Sequence, residues 1–251
     1  MTVTNADRES IRHGKINEQP LRPRPAYPSW AIKLVMAITG LLFALFVVVH
    51  MVGNLKIFMP AENGVAAMDE YGSFLRTVGA PIFPEESILW ILRIVLLVAV
   101  IAHIHGAITL NSRSGKSRGK FKRTKLMGGM DSTATRSMLI TGIILLAFII
   151  FHLLDLTMGV QPAAPDSFEP GAVHNNMIAT FNRWPVTIWY IIAMLALFLH
   201  LYQGIRLAAS DLGITGRRWR AVFAFLAAVV PIVVVLGNIV MPLSINLGFV
   251  S

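Results

Sequence analysis

Long apolar runs alternate along this chain with short stretches that are basic or rich in proline and glycine. Five runs, at about 31–59, 87–111, 136–159, 185–209 and 219–243, each supply the ~20 residues a helix needs to cross a hydrocarbon core. Turn formers separate them: Pro60 with Asn63-Gly64, Pro81 and Pro84, Gly128-Gly129, Pro162 and Pro165, Gly213 and Gly216. The pattern predicts an all-α integral membrane bundle of five helices over residues 30–251. Pro231 falls inside the fifth run and predicts a kink there, which packed membrane helices tolerate. Residues 1–29 carry Arg8, Arg12, Lys15, Arg22 and Arg24 among prolines 20, 23, 25 and 28, and read as an irregular arm.

Composition agrees with burial in lipid. Of 251 residues 55% are hydrophobic and 14% charged, and the mean hydropathy is +0.65; a soluble domain carries about 25% charged residues. The net charge of +9 does not point to nucleic acid, because the cations sit in loops beside apolar runs. The 112–130 loop holds Arg113, Lys116, Arg118, Lys120, Lys122, Arg123 and Lys125, and the 210–220 loop holds Arg217, Arg218 and Arg220. The alternate loops, 60–86 and 160–184, hold only Arg76 and Arg183 with several acids. That bias puts the N-terminus in the cytoplasm and the C-terminus outside. No apolar core follows a short basic start, so no cleaved signal peptide is expected. The chain has no cysteine, which removes disulfides and thiolate-held clusters or zinc. Iron held by imidazole remains open.

Four of the runs carry a histidine within apolar surroundings: His50, His103 (with His105 beside it), His152 and His200. An imidazole in hydrocarbon must find a partner, so each is a functional-site candidate. Given the orientation, His50 and His152 come late in helices running outward and lie in the outer half. His103 or His105 and His200 come late in helices running inward and lie in the inner half. Two pairs at two depths suit bis-imidazole iron in a flat macrocycle; another metal completed by a partner's ligands fits the same spacing. His103 and His105 lie about 200° apart around a helix, so one centre takes only one of them. His103 is preferred as the deeper.

Arg93 and Arg206 are placed to neutralise propionates or to snorkel to the interface. Asp155, three residues after His152, is a candidate to bond a quinone headgroup, pass a proton or pair with Arg93. Gly40, Gly53, Gly142 and Gly204 mark positions of close helix or macrocycle approach. His13 and His174 fall in loops and read as solvated.

The run Thr39-Gly40 with His50-Met-Val-Gly53-Asn54-Leu55, and the run from His200 through Gly204-Ile-Arg206 to Asp211-Leu-Gly213, carry a family resemblance. From about Arg24 to the end of the fifth helix the chain resembles the membrane cytochrome b subunit of succinate:quinone oxidoreductases and fumarate reductases. The resemblance is strongest to the single-chain five-helix form of actinobacterial succinate dehydrogenases. It implies two haems b: a proximal one held by His103 (or His105) with His200, and a distal one held by His50 with His152. It also implies flavoprotein and iron–sulfur partner subunits docked on the basic loop and the N-terminal arm. Menaquinone or another quinone would be the electron acceptor, in a bacterial plasma membrane. Succinate oxidation would lie on the partners, leaving no catalytic residue here, and a higher oligomer of the complex is compatible. One departure stands out: relatives that move compensating protons use a glutamate on the helix of the second proximal histidine. Here that helix has no acid before Asp211.

For quinone, Tyr27, Ser29, Trp30 and Lys33 line the membrane entrance on one side, and Asp155, Arg93 and the Asp69-Glu70-Tyr71 turn offer polar groups on the other. Aromatics at such an edge also serve simply as interfacial anchors. The rival readings are a haem-free or differently metallated anchor of the same complex, and a transporter relaying protons through intramembrane histidines. Transporters often carry internal repeats, and the two halves of this chain show no convincing similarity. A cytochrome of bc type would place its four ligands on two helices, two on each, against one per helix here.

Overall fold

A computed structural model of the protein describes residues 27–118 and 130–250. The N-terminal arm and the centre of the basic 112–130 loop, both expected to dock a partner, lie outside the described residues. The chain forms α1 (Ser29–Asn54), continued by a 3-10 turn at Leu55–Phe58, then α2 (Ala67–Thr77), α3 (Ser87–Arg118) and α4 (Met130–His152). A π-helical turn, Leu153–Met158, extends α4. It is followed by α5 (Val173–Phe181), α6 (Trp184–Asp211) and α7 (Arg217–Asn246). The fold is all-α, and five of its helices are long and apolar enough to cross a membrane: α1, α3, α4, α6 and α7 with their extensions.

Local chemistry sets the ends. Pro185 opens α6, where its missing N–H is one the first turn leaves unbonded anyway. Gly213 follows the end of α6 in the left-handed region, φ 76°. The fifth span is a single continuous helix with Pro231 and Pro242 buried inside it, which packed neighbours make tolerable.

α6 is the centre of the bundle. It packs along α7, α4 and α1, while α3 packs on α1. Its buried face is rich in small residues, Ala193, Ala196, Ala208 and Ala209, which let backbones approach. α1 and α7 come close where Gly237 faces Met51; a Cβ there would lie 2.6 Å from the Met51 sulfur. The Asn54 amide reaches Asn238 Oδ1 at 3.2 Å across the same contact. Most of α3, by contrast, presents Leu92, Val95, Leu97, Val98 and Ile101 outward, as a helix bathed in lipid does.

Four expectations for the connections need correction. The stretches 60–86 and 160–184 are not loops throughout: they contain α2 and α5, which cap the end of the bundle away from the basic loops. Asp69-Glu70-Tyr71 is therefore helix, not turn; its two acids lie in the first turn of α2 and Arg76 in the last, as the helix dipole favours. His174 lies in the first turn of α5, half-buried, with its N–H donated to Asp69 Oδ1 at 2.9 Å. At the basic end, α3 continues past residue 111 to Arg118, into the segment read as loop.

The π turn ends at Gly159, φ 65°, where an added Cβ would collide with the Phe168 ring. Left-handed backbone costs a non-glycine residue about 1–2 kcal/mol and overpacking about 1–3. Gly159→Ala is expected to destabilise the detergent-solubilised protein by at least about 2 kcal/mol. Comparison of unfolding midpoints with wild type checks this, and an unchanged midpoint contradicts it.

Candidate functional site: two histidine pairs between the spanning helices

Four imidazoles from four spans meet in two pairs. His103 of α3 and His200 of α6 have ring centroids 6.3 Å apart; His50 of α1 and His152 of α4 have theirs 5.8 Å apart. His105 is exposed on the outside of α3 and belongs to neither pair.

One helix pattern builds both layers. α1 reads Met36-x-Ile38-Thr39-Gly40-x5-Phe46-x3-His50, and α4 reads Met138-x-Ile140-Thr141-Gly142-x5-Phe148-x3-His152. This is an internal repeat, and it corrects the expectation that the halves share no similarity. Its contacts repeat too. Thr39 Oγ1 lies 3.0 Å from His103 Nδ1, and Thr141 Oγ1 lies 3.1 Å from His200 Nδ1. A Cβ on Gly40 would stand 3.5 Å from the His103 ring, and one on Gly142 would stand 3.5 Å from the His200 ring. Phe46 stacks on His50 at 5.3 Å, and Phe148 stacks on His152 at 5.7 Å. So each of these helices clamps another helix's imidazole at one depth and offers its own three turns further on. From Thr39 to His50 the rise is roughly 16 Å, which sets the spacing of the layers.

The hydroxyls' other bonds favour one tautomer at the His103–His200 pair. Thr39 donates to the Val35 carbonyl at 2.8 Å, and Thr141 donates to the Ser137 carbonyl at 2.9 Å. Each hydroxyl has one proton, already used, so it accepts from the imidazole Nδ1–H. That leaves Nε2 of His103 and of His200 as a bare lone pair.

The other pair is held differently. His152 Nδ1 lies 3.1 Å from the Tyr190 hydroxyl, which donates to Asp155 Oδ2 at 3.2 Å. Asp155, fully buried, also takes Thr180 Oγ1 at 3.0 Å and an Arg183 nitrogen at 2.9 Å. The expected Arg93 is not its partner. Arg93 is exposed and sits over the Trp90 ring at 4.9 Å, as an interfacial cation does.

The remaining candidates separate by position. Gly53 carries no imidazole; Tyr71 of α2 covers it, 2.6 Å from an added Cβ. Gly204 faces open space one turn after His200, so helix packing does not explain it. Arg206 bonds the Tyr202 hydroxyl at 3.0 Å and lies over its ring. At the basic end Tyr27 and Trp30 are exposed, Ser29 accepts from Arg113 at 3.0 Å, and Lys33 pairs with Asp211 at 3.3 Å. Lys33, Ser29, Arg113 and Asp211 thus tie together the ends of α1, α3 and α6.

A family model described as the succinate dehydrogenase/fumarate reductase transmembrane subunit matches residues 115–236. That stretch, just under half of the chain, contains α4, α5, α6 and most of α7, with Thr141, His152, Asp155, Tyr190 and His200. His50 and His103 lie before it. No curated protein and no solved structure matches the chain. Over that stretch the chain is similar to succinate dehydrogenase/fumarate reductase transmembrane subunits, and it carries five helices long and apolar enough to cross a membrane.

Proposed function

We propose that the protein carries electrons from the iron–sulfur subunit of a succinate:quinone oxidoreductase to a membrane quinone through two haems b. The observation that carries this reading is the pairing of imidazoles. Two imidazoles on one metal, each bonded at about 2 Å, stand with ring centroids roughly 6 Å apart, and the pairs stand at 6.3 and 5.8 Å. The donor set also fits. Among the described residues no three His, Asp or Glu side chains gather as a metal site, so each centre has two protein donors. A porphyrin supplies the other four in its plane.

Haem bound at each layer would supply a one-electron carrier, and the chain's residues do the rest. His103 with His200, and His50 with His152, would hold the two haem irons. Thr39, Thr141 and Tyr190 hold Nδ1–H of their imidazoles and so turn Nε2 inward, the outer-shell support that ligating histidines need. Gly40 and Gly142 stand beside the His103 and His200 rings at distances that even a Cβ would keep as ordinary contact, and the open space at Gly204 leaves room on the His200 face. The positive-inside bias makes the basic end cytoplasmic, so His103 and His200 would be proximal to the iron–sulfur subunit and His50 and His152 distal. Quinone at the basic end would meet Ser29, Trp30, Lys33 and Tyr27, with Arg206 one helix away. Asp155 is fully engaged by protein donors, which argues for a supporting role rather than a headgroup contact.

A dithionite-reduced minus oxidised spectrum of the purified complex, with pyridine-haemochrome quantitation, tests the reading. About two protohaems per chain are expected. A haem-free complex with intact succinate:quinone activity would overturn it.

A further inference from the structure

The geometry points to Asp155 as a positioning residue that acts through Tyr190 to fix His152 as an Nδ1–H tautomer and to make it a stronger electron donor than the inner ligands. The inference rests on the two-haem reading for its effect on potential, and on the hydrogen bonds alone for the tautomer.

Asp155 is the one fully buried charged side chain among the described residues, and it lies in the π turn, one turn beyond His152. Such turns widen the helix locally and recur at functional sites. Its three contacts all arrive as donors: the Thr180 hydroxyl, the Arg183 guanidinium and the Tyr190 hydroxyl. An acceptor of three donors beside a guanidinium is a carboxylate. The Tyr190 proton therefore points at Asp155, and its oxygen must accept from His152 Nδ1–H. The phenol has no freedom to turn away. Phe148, Phe151 and Phe181 pack edge-on around its ring at 4.9, 6.2 and 4.8 Å.

The inner imidazoles bond hydroxyls whose protons go to backbone carbonyls; His152 bonds a hydroxyl whose proton goes to a carboxylate. A carboxylate two hydrogen bonds away, reached through the phenol, polarises Nδ1–H and so raises the basicity of a ligating imidazole. A more basic ligand favours the oxidised iron, so removing the carboxylate raises the potential of that centre alone. Second-sphere hydrogen bonding is one of the few levers a protein has on a haem.

The experiment uses Asp155→Asn and Tyr190→Phe in the purified complex, each also combined with His200→Ala so that only the centre of His50 and His152 remains. Redox titration is expected to show that centre shifted upward, with a tenfold change in its reduced-to-oxidised ratio corresponding to about 59 mV. The inner centre is expected to hold its wild-type midpoint. Unchanged midpoints in both variants with haem retained, or equal shifts at both centres, would overturn the inference. A wild-type complex without haem would sink the two-haem reading instead. The inference is then judged by 15N NMR of the His152 ring, assigned by its loss in His152→Ala. Wild type is expected as Nδ1–H and Tyr190→Phe as predominantly Nε2–H; the same tautomer in both contradicts the role.

Discussion

His200→Ala is expected to lower the haem content from about two to about one per chain and to cut succinate-to-quinone electron flow by at least about tenfold. Outer-shell partners of metal ligands alone change affinity or activity by about 10–100-fold, and a lost ligand should cost no less. Succinate oxidation by a soluble dye should survive, because the proposed function places that chemistry on other subunits. The argument rests on what is left behind. With the ring gone, Thr141 keeps its bond to the Ser137 carbonyl but loses the imidazole, and α6 has no second histidine to replace the donor. His103→Ala should remove the same centre from the other side. His105→Ala should leave two haems, since that side chain faces away from the bundle. His50→Ala and His152→Ala should each remove the second centre and spare the first. Haemochrome quantitation of the five variants checks all of this together. Full haem in His200→Ala, or loss of haem in His105→Ala, would break the pairing.

Much of this was legible in the sequence for a physical reason. Hydrocarbon demands some twenty apolar residues per span, so the five runs announce the helices almost without competition from other periodicities. Position in each run and loop charge paired His50 with His152 and His103 or His105 with His200, and the structure brings His50 to His152 and His103 to His200. The choice between His103 and His105 could not be made from rotation alone, because either side of a helix apolar all round can be the inside. Packing of α3 on α1 is what turns His103 inward. The repeat Thr-Gly-x5-Phe-x3-His was readable and missed. It joins single helices 102 residues apart, one in each half of the chain, and leaves the rest of the halves dissimilar. The partners of Asp155 were harder to see. Thr180 ends on α5 and Arg183 on the turn after it, in a segment whose prolines and acids read as loop. Arg93, the cation expected to pair with Asp155, lies over Trp90 instead. A buried charge selects the donor that folding brings to it, and sequence distance says little about which one that is.

Arg183→Met tests that selection, and its expected cost is about 3 kcal/mol of stability, at the lower end of what removing one partner from a buried ion pair costs. The reasoning is asymmetric. Asp155 is fully buried, whereas the Arg183 side chain is 29% exposed, so the arginine loses little by being unpaired and the carboxylate loses much. Two donors, Thr180 and Tyr190, stay with the carboxylate and keep the penalty from rising further. Replacing both charges is a milder change than replacing one, because no unmatched charge is left behind. The double variant Asp155→Asn with Arg183→Met should therefore recover a large part of the loss. Unfolding in mixed micelles of wild type, both single variants and the double variant gives the coupling energy directly. A single variant as stable as wild type would mean that solvent, reaching the site past Arg183, screens the carboxylate. The π turn would then be held by Gly159 and its packing on Phe168 rather than by the ion pair.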